Sequence, residues 1–214
     1  MHTTILAKNL VKTFFKRYPL TIIFLSCGFL YWASLERPFE FSGTTMGTDY
    51  NVKGYARFLW IKPDLALKLS QRLDVINRSM STYDPDSEIS LFNRLGLEPG
   101  LIISDDFVEV YKEAKHLHRV TGGVFDPTID PLLRLWGFGV NAREFKDVPS
   151  HKKIQAALKR VNFDYIILKG GDTLVKLNEG TVLDFSSIAK GYAVDQLAEV
   201  LETIGIRRYY VEIG

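Results

Sequence analysis

Between Tyr18 and Leu35 the chain runs through eighteen consecutive uncharged residues, rich in Leu, Ile and Phe. A helix buried in a globular core is normally punctuated by polar side chains on one face, and nothing polar enough interrupts this stretch. At 1.5 Å rise per residue it would be about 27 Å long, barely enough to cross a hydrocarbon core. Directly before it, residues 1–17 hold Lys8, Lys12, Lys16 and Arg17 and no acid. Cationic flanks stay on the cytoplasmic side, so the run reads as a membrane segment that sends the rest of the chain outward. Three regions are expected: a cytoplasmic basic region at 1–17, a membrane anchor or lipoprotein signal at 18–35, and a folded domain from 36 to 214. The expected location of that domain is the periplasmic, extracytoplasmic side of a bacterial inner membrane.

Two forms of the anchor are open. Cys27 is the single cysteine, and Phe24-Leu25-Ser26-Cys27-Gly28 is similar to a bacterial lipobox with Phe24 where Leu is usual. The apolar run ahead of Cys27 is short for a signal peptide, which leaves an uncleaved helix as the other form. With one cysteine, the domain forms no internal disulfide in either case. The net charge of +2 divides unevenly, because residues beyond 17 carry 23 basic and 25 acidic side chains. A nucleic-acid surface is a basic patch on the folded domain itself, so this distribution argues for targeting and against nucleic acid.

The soluble part alternates between short strand-like and helical patterns. Phe41–Tyr55 holds three glycines and reads as strands broken by a tight turn. Pro63 and Asp64 open a helix whose Leu65, Leu69, Leu73, Ile76 and Met80 form one apolar stripe. Ser81–Ser90 is polar and reads as a loop. Ser104 caps a second helix, with Asp105 and Asp106 in its first turn and Phe107, Val110, Ala114 and Leu117 on its inner face. Gly122-Gly123 stop it, and His116 and His118, two apart, read as surface residues rather than a metal pair. A basic third helix spans about 150–161. Tyr165–Leu168 and Leu174–Leu177 form a hairpin through Gly170-Gly171-Asp172. The pattern then predicts a strand at Thr181–Phe185, a helix at about 187–204, a stop at Gly205 and a strand at Tyr209–Ile213. The fold class is α/β (α+β, a mixed sheet with helices), with a right-handed crossover if the last strands are parallel. A strand flush with the final residue reads as a sign that the chain is incomplete at its C-terminal end.

Chemistry concentrates in three segments. Leu183-Asp184-Phe185-Ser186-Ser187-Ile188-Ala189-Lys190 is a strand-to-helix junction with small residues at the turn. Free N–H groups at a helix start, with a lysine in the first turn, suit a phosphate group. The order of residues is not that of a Walker A loop, and a capped helix with a solvated lysine explains the same pattern. Gly122-Gly123-Val124-Phe125-Asp126-Pro127-Thr128-Ile129-Asp130 is the second. Asp126 and Asp130 could face a cation, but the spacing is not that of an EF-hand, and a turn with helix caps is the plainer reading. The third, Met80–Glu88, exposes Tyr83 in a polar loop, where it could stack on a planar ring or simply pack on the surface.

Together these segments resemble the FAD:protein FMN transferases, the ApbE family. The resemblance is carried by Thr44-Thr45-Met46-Gly47-Thr48, by Met80–Glu88 with Ser90 and Asn93, by Gly122–Asp130 with Leu135-Trp136-Gly137-Phe138-Gly139, and by Asp184–Asp195. It implies an ApbE-like fold and FAD as donor substrate. Met46 and Tyr83 would sandwich the flavin ring, and Val124, Phe125 and Asp126 would line the FAD site. Asp184 and Lys190 would hold the nucleotide, and Ser187 would give Mg²⁺ a ligand, by its backbone carbonyl. The implied reaction moves FMN from FAD to a Ser or Thr hydroxyl of another protein and releases AMP. The implied acceptors are exported, membrane-bound flavoprotein subunits of electron-transfer complexes. An FAD pyrophosphatase and a non-catalytic, tethered flavin-binding protein are the alternatives. The family pattern continues past the last strand with a His-containing segment in the role of base and an Asp/Thr segment for Mg²⁺. His2, His116, His118 and His151 match no catalytic position, so no base is assigned. Residues 1–214 alone are therefore expected to leave a sheet edge open and the metal short of ligands, and to be inactive.

Overall fold

The computed structural model describes residues 18–57, 64–138 and 148–214. The basic region 1–17, Pro63 and Gly139 lie outside the described residues. The first helix, α1 (Pro19–Ser34), has 16 residues, with Leu20, Phe24, Leu25 and Leu30 exposed. No described helix is long and apolar enough to cross a membrane. At the end of α1 the guanidinium of Arg37 lies 4.3 Å from the centre of the Trp32 ring.

Strands β1 (Glu36–Thr45) and β2 (Thr48–Arg57) form an antiparallel hairpin whose register closes at Thr45 and Thr48. The two turn residues, Met46 and Gly47, have φ of +50° and +73°. A two-residue loop with both φ values positive matches the right-handed twist of its strands, which explains the glycine. Methionine there is costly, on the order of 1 kcal/mol, because its Cβ crowds the backbone.

Helix α2 (Leu65–Met80) buries Leu65, Leu69, Leu73, Ile76 and Met80, the stripe expected from spacing. Its N-cap is Asp64. A short helix α3 (Glu88–Arg94) follows, capped by Ser87, whose side chain accepts from the Ser90 N–H. The expected loop therefore ends at Ser87. Ile89 and Phe92, both buried, anchor one face of this helix to the core and offset the entropy of ordering it. After the two-residue β3 (Leu101–Ile102), helix α4 (Asp105–Val120) starts at Ser104, whose hydroxyl accepts from Phe107 N–H. Phe107, Val110 and Ala114 face inward as expected, joined by Val108 and Tyr111, while Leu117 is only partly covered.

Helices α5 (Asp130–Leu135) and α6 (His151–Leu158) are short, and α6 buries no residue. A 3₁₀ turn at Phe163–Tyr165 leads into β4 (Ile166–Lys169) and β5 (Thr173–Lys176), the hairpin expected through Gly170-Gly171-Asp172. Helix α7 (Ala189–Thr203) buries Ala189, Ala193, Leu197 and Leu201. Gly205, at φ +87°, ends it before β6 (Arg208–Ile213).

The architecture is mixed α/β, but both described sheets are antiparallel throughout. One has the order β1-β2-β6 and the other β3-β5-β4. The right-handed parallel crossover does not occur, because β6 docks on β2, antiparallel, from Tyr50–Ile213 to Tyr55–Arg208. Thr181–Phe185 is not a strand either. A side chain takes the place of a neighbouring strand there. Asn93 donates from Nδ2 to the Leu183 carbonyl (2.8 Å) and accepts the Leu183 N–H at Oδ1 (2.7 Å). The next N–H, of Asp184, bonds the Pro127 carbonyl at 2.8 Å. Buried polar backbone is thus satisfied without a ladder.

Candidate active-site cleft

The cleft lies where the β1–β2 turn, the end of α2 and the start of α7 meet. One lobe, of ≈ 200 Å³, is lined by Met46, Asn77, Tyr83, Ser186 and Lys190 among others. The adjoining lobe, of ≈ 440 Å³, is lined by Tyr83, Asn93, Arg94, Asp130, Arg134 and Asp184 among others. Thr82 and Tyr83 border both lobes. Four of the residues expected at the site, Met46, Tyr83, Asp184 and Lys190, therefore converge from segments far apart in sequence.

Each is held by local structure. The Met46 turn is tied to α2 by Asn77, which donates to Thr45 Oγ1 at 2.9 Å. Tyr83 is 71 % exposed, yet its loop is braced by hydrogen bonds. Ser87 Oγ donates to the Ser81 carbonyl at 2.6 Å, Asp84 accepts from Asp86 N–H at 2.9 Å, and Arg94 bonds the Pro85 carbonyl at 2.6 Å. Glu88 then joins three elements, accepting from Ser79 Oγ (2.9 Å), Ser104 N–H (3.1 Å) and Ser104 Oγ (2.7 Å). An aromatic face presented on a braced loop suits stacking, because little backbone freedom of the loop remains to be lost on binding.

At the junction, Asp184 Oδ1 accepts from the Ser186 N–H at 2.8 Å and from the Ser186 hydroxyl. The carboxylate thus fixes the turn that opens α7. Phe185 beneath it is fully buried, edge-on to Phe107 at 5.3 Å. Its carbonyl accepts from Ile188 and Ala189 N–H groups at 2.9 and 2.8 Å. Lys190, exposed in the first turn, places Nζ 3.1 Å from where a Cβ on Gly214 would stand. Gly214, at φ +88°, bonds the Asp49 carbonyl at 3.0 Å, so its missing side chain leaves room for the lysine head. A helix start with a lysine and small residues remains an arrangement suited to phosphate.

Val124, Phe125 and Asp126 are not among the residues lining either lobe. Val124 is 87 % exposed and Phe125 packs partly on the core. Asp126 is occupied within its own loop: Oδ1 accepts from Thr128 N–H (2.8 Å) and Oγ1 (2.5 Å), and Oδ2 from Phe163 N–H (3.3 Å). Asp130 pairs with Arg134 at 2.6 Å. Asp126 thus fixes its own turn, while Asp130 has no capping bond and instead pairs with Arg134. The loop reaches the cleft through Asp130, which lines the larger lobe, and through the bond of the Asp184 N–H to the Pro127 carbonyl. His118 differs from the expected surface residue. Its side chain is 18 % exposed, with Nδ1 2.7 Å from the Phe125 carbonyl and 3.9 Å from Asp126 Oδ2. No motif marks this contact, which joins α4 to the loop it runs into. His116, His118 and His151 do not line the cleft.

Ser187 is exposed at the turn before α7. Among the described residues no group of three or more His, Cys, Asp or Glu could hold a metal ion. A hard cation takes about six or more oxygens, usually with carboxylates, and one backbone carbonyl does not fit that demand.

The chain belongs to the ApbE family, whose model matches residues 46–214. It is 38 % identical over 187 residues to the FAD:protein FMN transferase of Vibrio cholerae, covering 85 % of this chain and 55 % of that protein. The protein of the same name from Haemophilus influenzae is 39 % identical over 179 residues, covering 81 % and 51 %. The chain thus spans about half the length of these relatives. Among solved structures, flavin transferase ApbE from Vibrio cholerae superposes with a TM-score of 0.79 at 35 % identity, covering 84 % of this chain and 58 % of that one. Flavinyl transferase ApbE from Pseudomonas stutzeri, in its apo form, gives 0.77 at 34 % identity, covering 83 % and 57 %.

Proposed function

We propose that these residues form the FAD-holding part of an FAD:protein FMN transferase. The observation that carries this reading is the convergence of Met46 and Tyr83 with Asp184 and Lys190 on one cleft. The thioether and the aromatic ring offer soft, flat contact to the isoalloxazine, while the start of α7 and Lys190 receive the pyrophosphate. The names of the Vibrio and Haemophilus relatives agree with this. Val124, Phe125 and Asp126 support the FAD site through the loop that bonds Asp184.

In the proposed reaction a Ser or Thr hydroxyl of the acceptor attacks the FMN phosphorus. The bond from that phosphorus to the bridging oxygen breaks, AMP leaves with the oxygen, and the hydroxyl proton passes to a base. Catalysis of this kind rests on alignment and charge stabilisation rather than on covalent chemistry of the protein. Mg²⁺ enters the proposal through the family alone: Ser187 would offer one oxygen, and the described residues present no cluster of carboxylates that would complete a site. The proposed acceptors are exported flavoprotein subunits, and the proposed location is the outer face of the inner membrane, tethered through 18–35.

Incubating the full-length protein with FAD and Mg²⁺, with and without an acceptor carrying an exposed Ser or Thr, tests this. Flavin fluorescence retained on the denatured acceptor, with AMP released in equal amount, is expected. FMN released to solution with no labelled acceptor would replace transfer by hydrolysis, and FAD bound unchanged would leave a binding protein.

A further inference from the structure

Lys176, the last residue of β5, interrupts an apolar run and is 3 % exposed. Burial lowers its pKa. Its Nζ donates to the carbonyls of Asn93 (3.2 Å) and Leu95 (3.0 Å) and lies 5.0 Å from the centre of the Phe92 ring. Those carbonyls sit at the end of α3, where the last turn of a helix leaves its C=O groups without helical partners. An ammonium there satisfies two of them and has the sign of charge that a helix C-terminus favours. A methionine would fill the same space without the cost of desolvating a charge, so packing does not explain a lysine here.

What the lysine grips has a second hand on the cleft. Asn93, whose carbonyl it holds, uses its side chain to bond both the N–H and the C=O of Leu183. Leu183 precedes Asp184, and Asn93, Leu183 and Asp184 all line the larger lobe. A shift in the last turn of α3 would therefore be passed to the Leu183–Asp184 peptide.

We propose that Lys176 is a positioning residue for FAD: by clamping the end of α3 it lets Asn93 hold the Leu183–Asp184 backbone where the nucleotide meets it. This rests on the reading of the cleft as an FAD site. Lys176 does not itself line the cleft, and its one bond to a lining residue is to the Asn93 carbonyl.

The test is a cycle of Lys176→Met, Asn93→Ala and the double variant in the full-length protein. Two quantities are read: FAD affinity by flavin fluorescence titration, and hydrogen exchange at the Leu183 amide by NMR. Lys176→Met is expected to weaken FAD binding about tenfold, the effect of losing a charged hydrogen bond. It should also speed exchange at Leu183, and it should add nothing to Asn93→Ala. Effects that multiply in the double variant would overturn the relay, as would unchanged exchange at Leu183. If Lys176→Met does not fold, Lys176→Gln, which keeps a donor, should show the same pattern with smaller amplitude. Loss of thermal stability with FAD affinity and Leu183 exchange unaltered would make Lys176 a packing residue only. Failure of the unaltered protein to bind FAD would instead strike the reading of the cleft, while exchange at Leu183 still decides the relay.

Discussion

Phe185→Ala should destabilise the protein by about 3–5 kcal/mol, the range for emptying a fully buried phenylalanine site. Its ring is fully buried and meets Phe107 edge-on, so transfer, cavity and aromatic contributions are lost together. Domains of this kind hold roughly 5–15 kcal/mol in total, so a urea midpoint should fall by about a fifth or more. The same change should weaken FAD binding at temperatures where the variant is still folded. Phe185 lies between Asp184 and Ser186, and its carbonyl seats the first N–H groups of α7. If the alanine variant does not fold, Phe185→Leu, costing about 1–1.5 kcal/mol, gives the graded version. A Phe185→Ala protein that kept its urea midpoint would contradict the packing described.

The second large effect is at the clamp between α2, α4 and α7. Arg72 donates both Nη atoms to Asp106, each at 2.6 Å, and also reaches Gln196 at 2.6 Å, while Tyr192 Oη donates to Asp106 at 2.6 Å. The side chains of the pair are 21 % and 15 % exposed. Arg72→Met should cost about 2–3 kcal/mol, less than a fully buried pair because some water remains. The hydrogen bonds from Arg72, then that from Tyr192, hold the Asp106 pKa below the usual carboxylate value against the opposing effect of burial. A depressed folded-state pKa gives stability that is complete above about pH 3.9, the unfolded value, and is lost as pH falls through the folded one. Acid unfolding below about pH 4 should therefore be less steep in Arg72→Met. Equal acid slopes in the two proteins would show that the clamp is not charged in solution.

Amphipathic patterning made much of this fold legible. The stripe from Leu65 to Met80 and the Ser104 cap are local signals, and local signals are what a sequence states most directly. The turn at Met46-Gly47 was legible for the same reason. Thr181–Phe185 was misread because its apolar residues have strand-like character, whereas its partner is one side chain, Asn93, some ninety residues earlier. The start of α3 was hidden in a polar stretch, although Ser87 followed by Ile89 and Phe92 was a usable sign. The pairing of β6 with β2 depends on tertiary docking, which the sign of a strand does not encode. Of the residues expected at the site, Met46, Tyr83, Asp184 and Lys190 line the cleft and Val124, Phe125 and Asp126 do not, while the residues that brace it carried no expectation. Lys176 acts through bonds to the backbone of Asn93 and Leu95, far earlier in the chain, and no motif marks such bonds.

The most direct measurement is an FAD titration of the full-length protein beside Tyr83→Ala, Lys190→Ala and Asp184→Ala, each checked for native thermal stability. The cleft as described predicts weaker binding in all three. The largest loss, about 10–100-fold, is expected for Asp184→Ala, because that carboxylate also sets the Ser186 turn. Unaltered FAD affinity in all three variants would show that the flavin binds elsewhere.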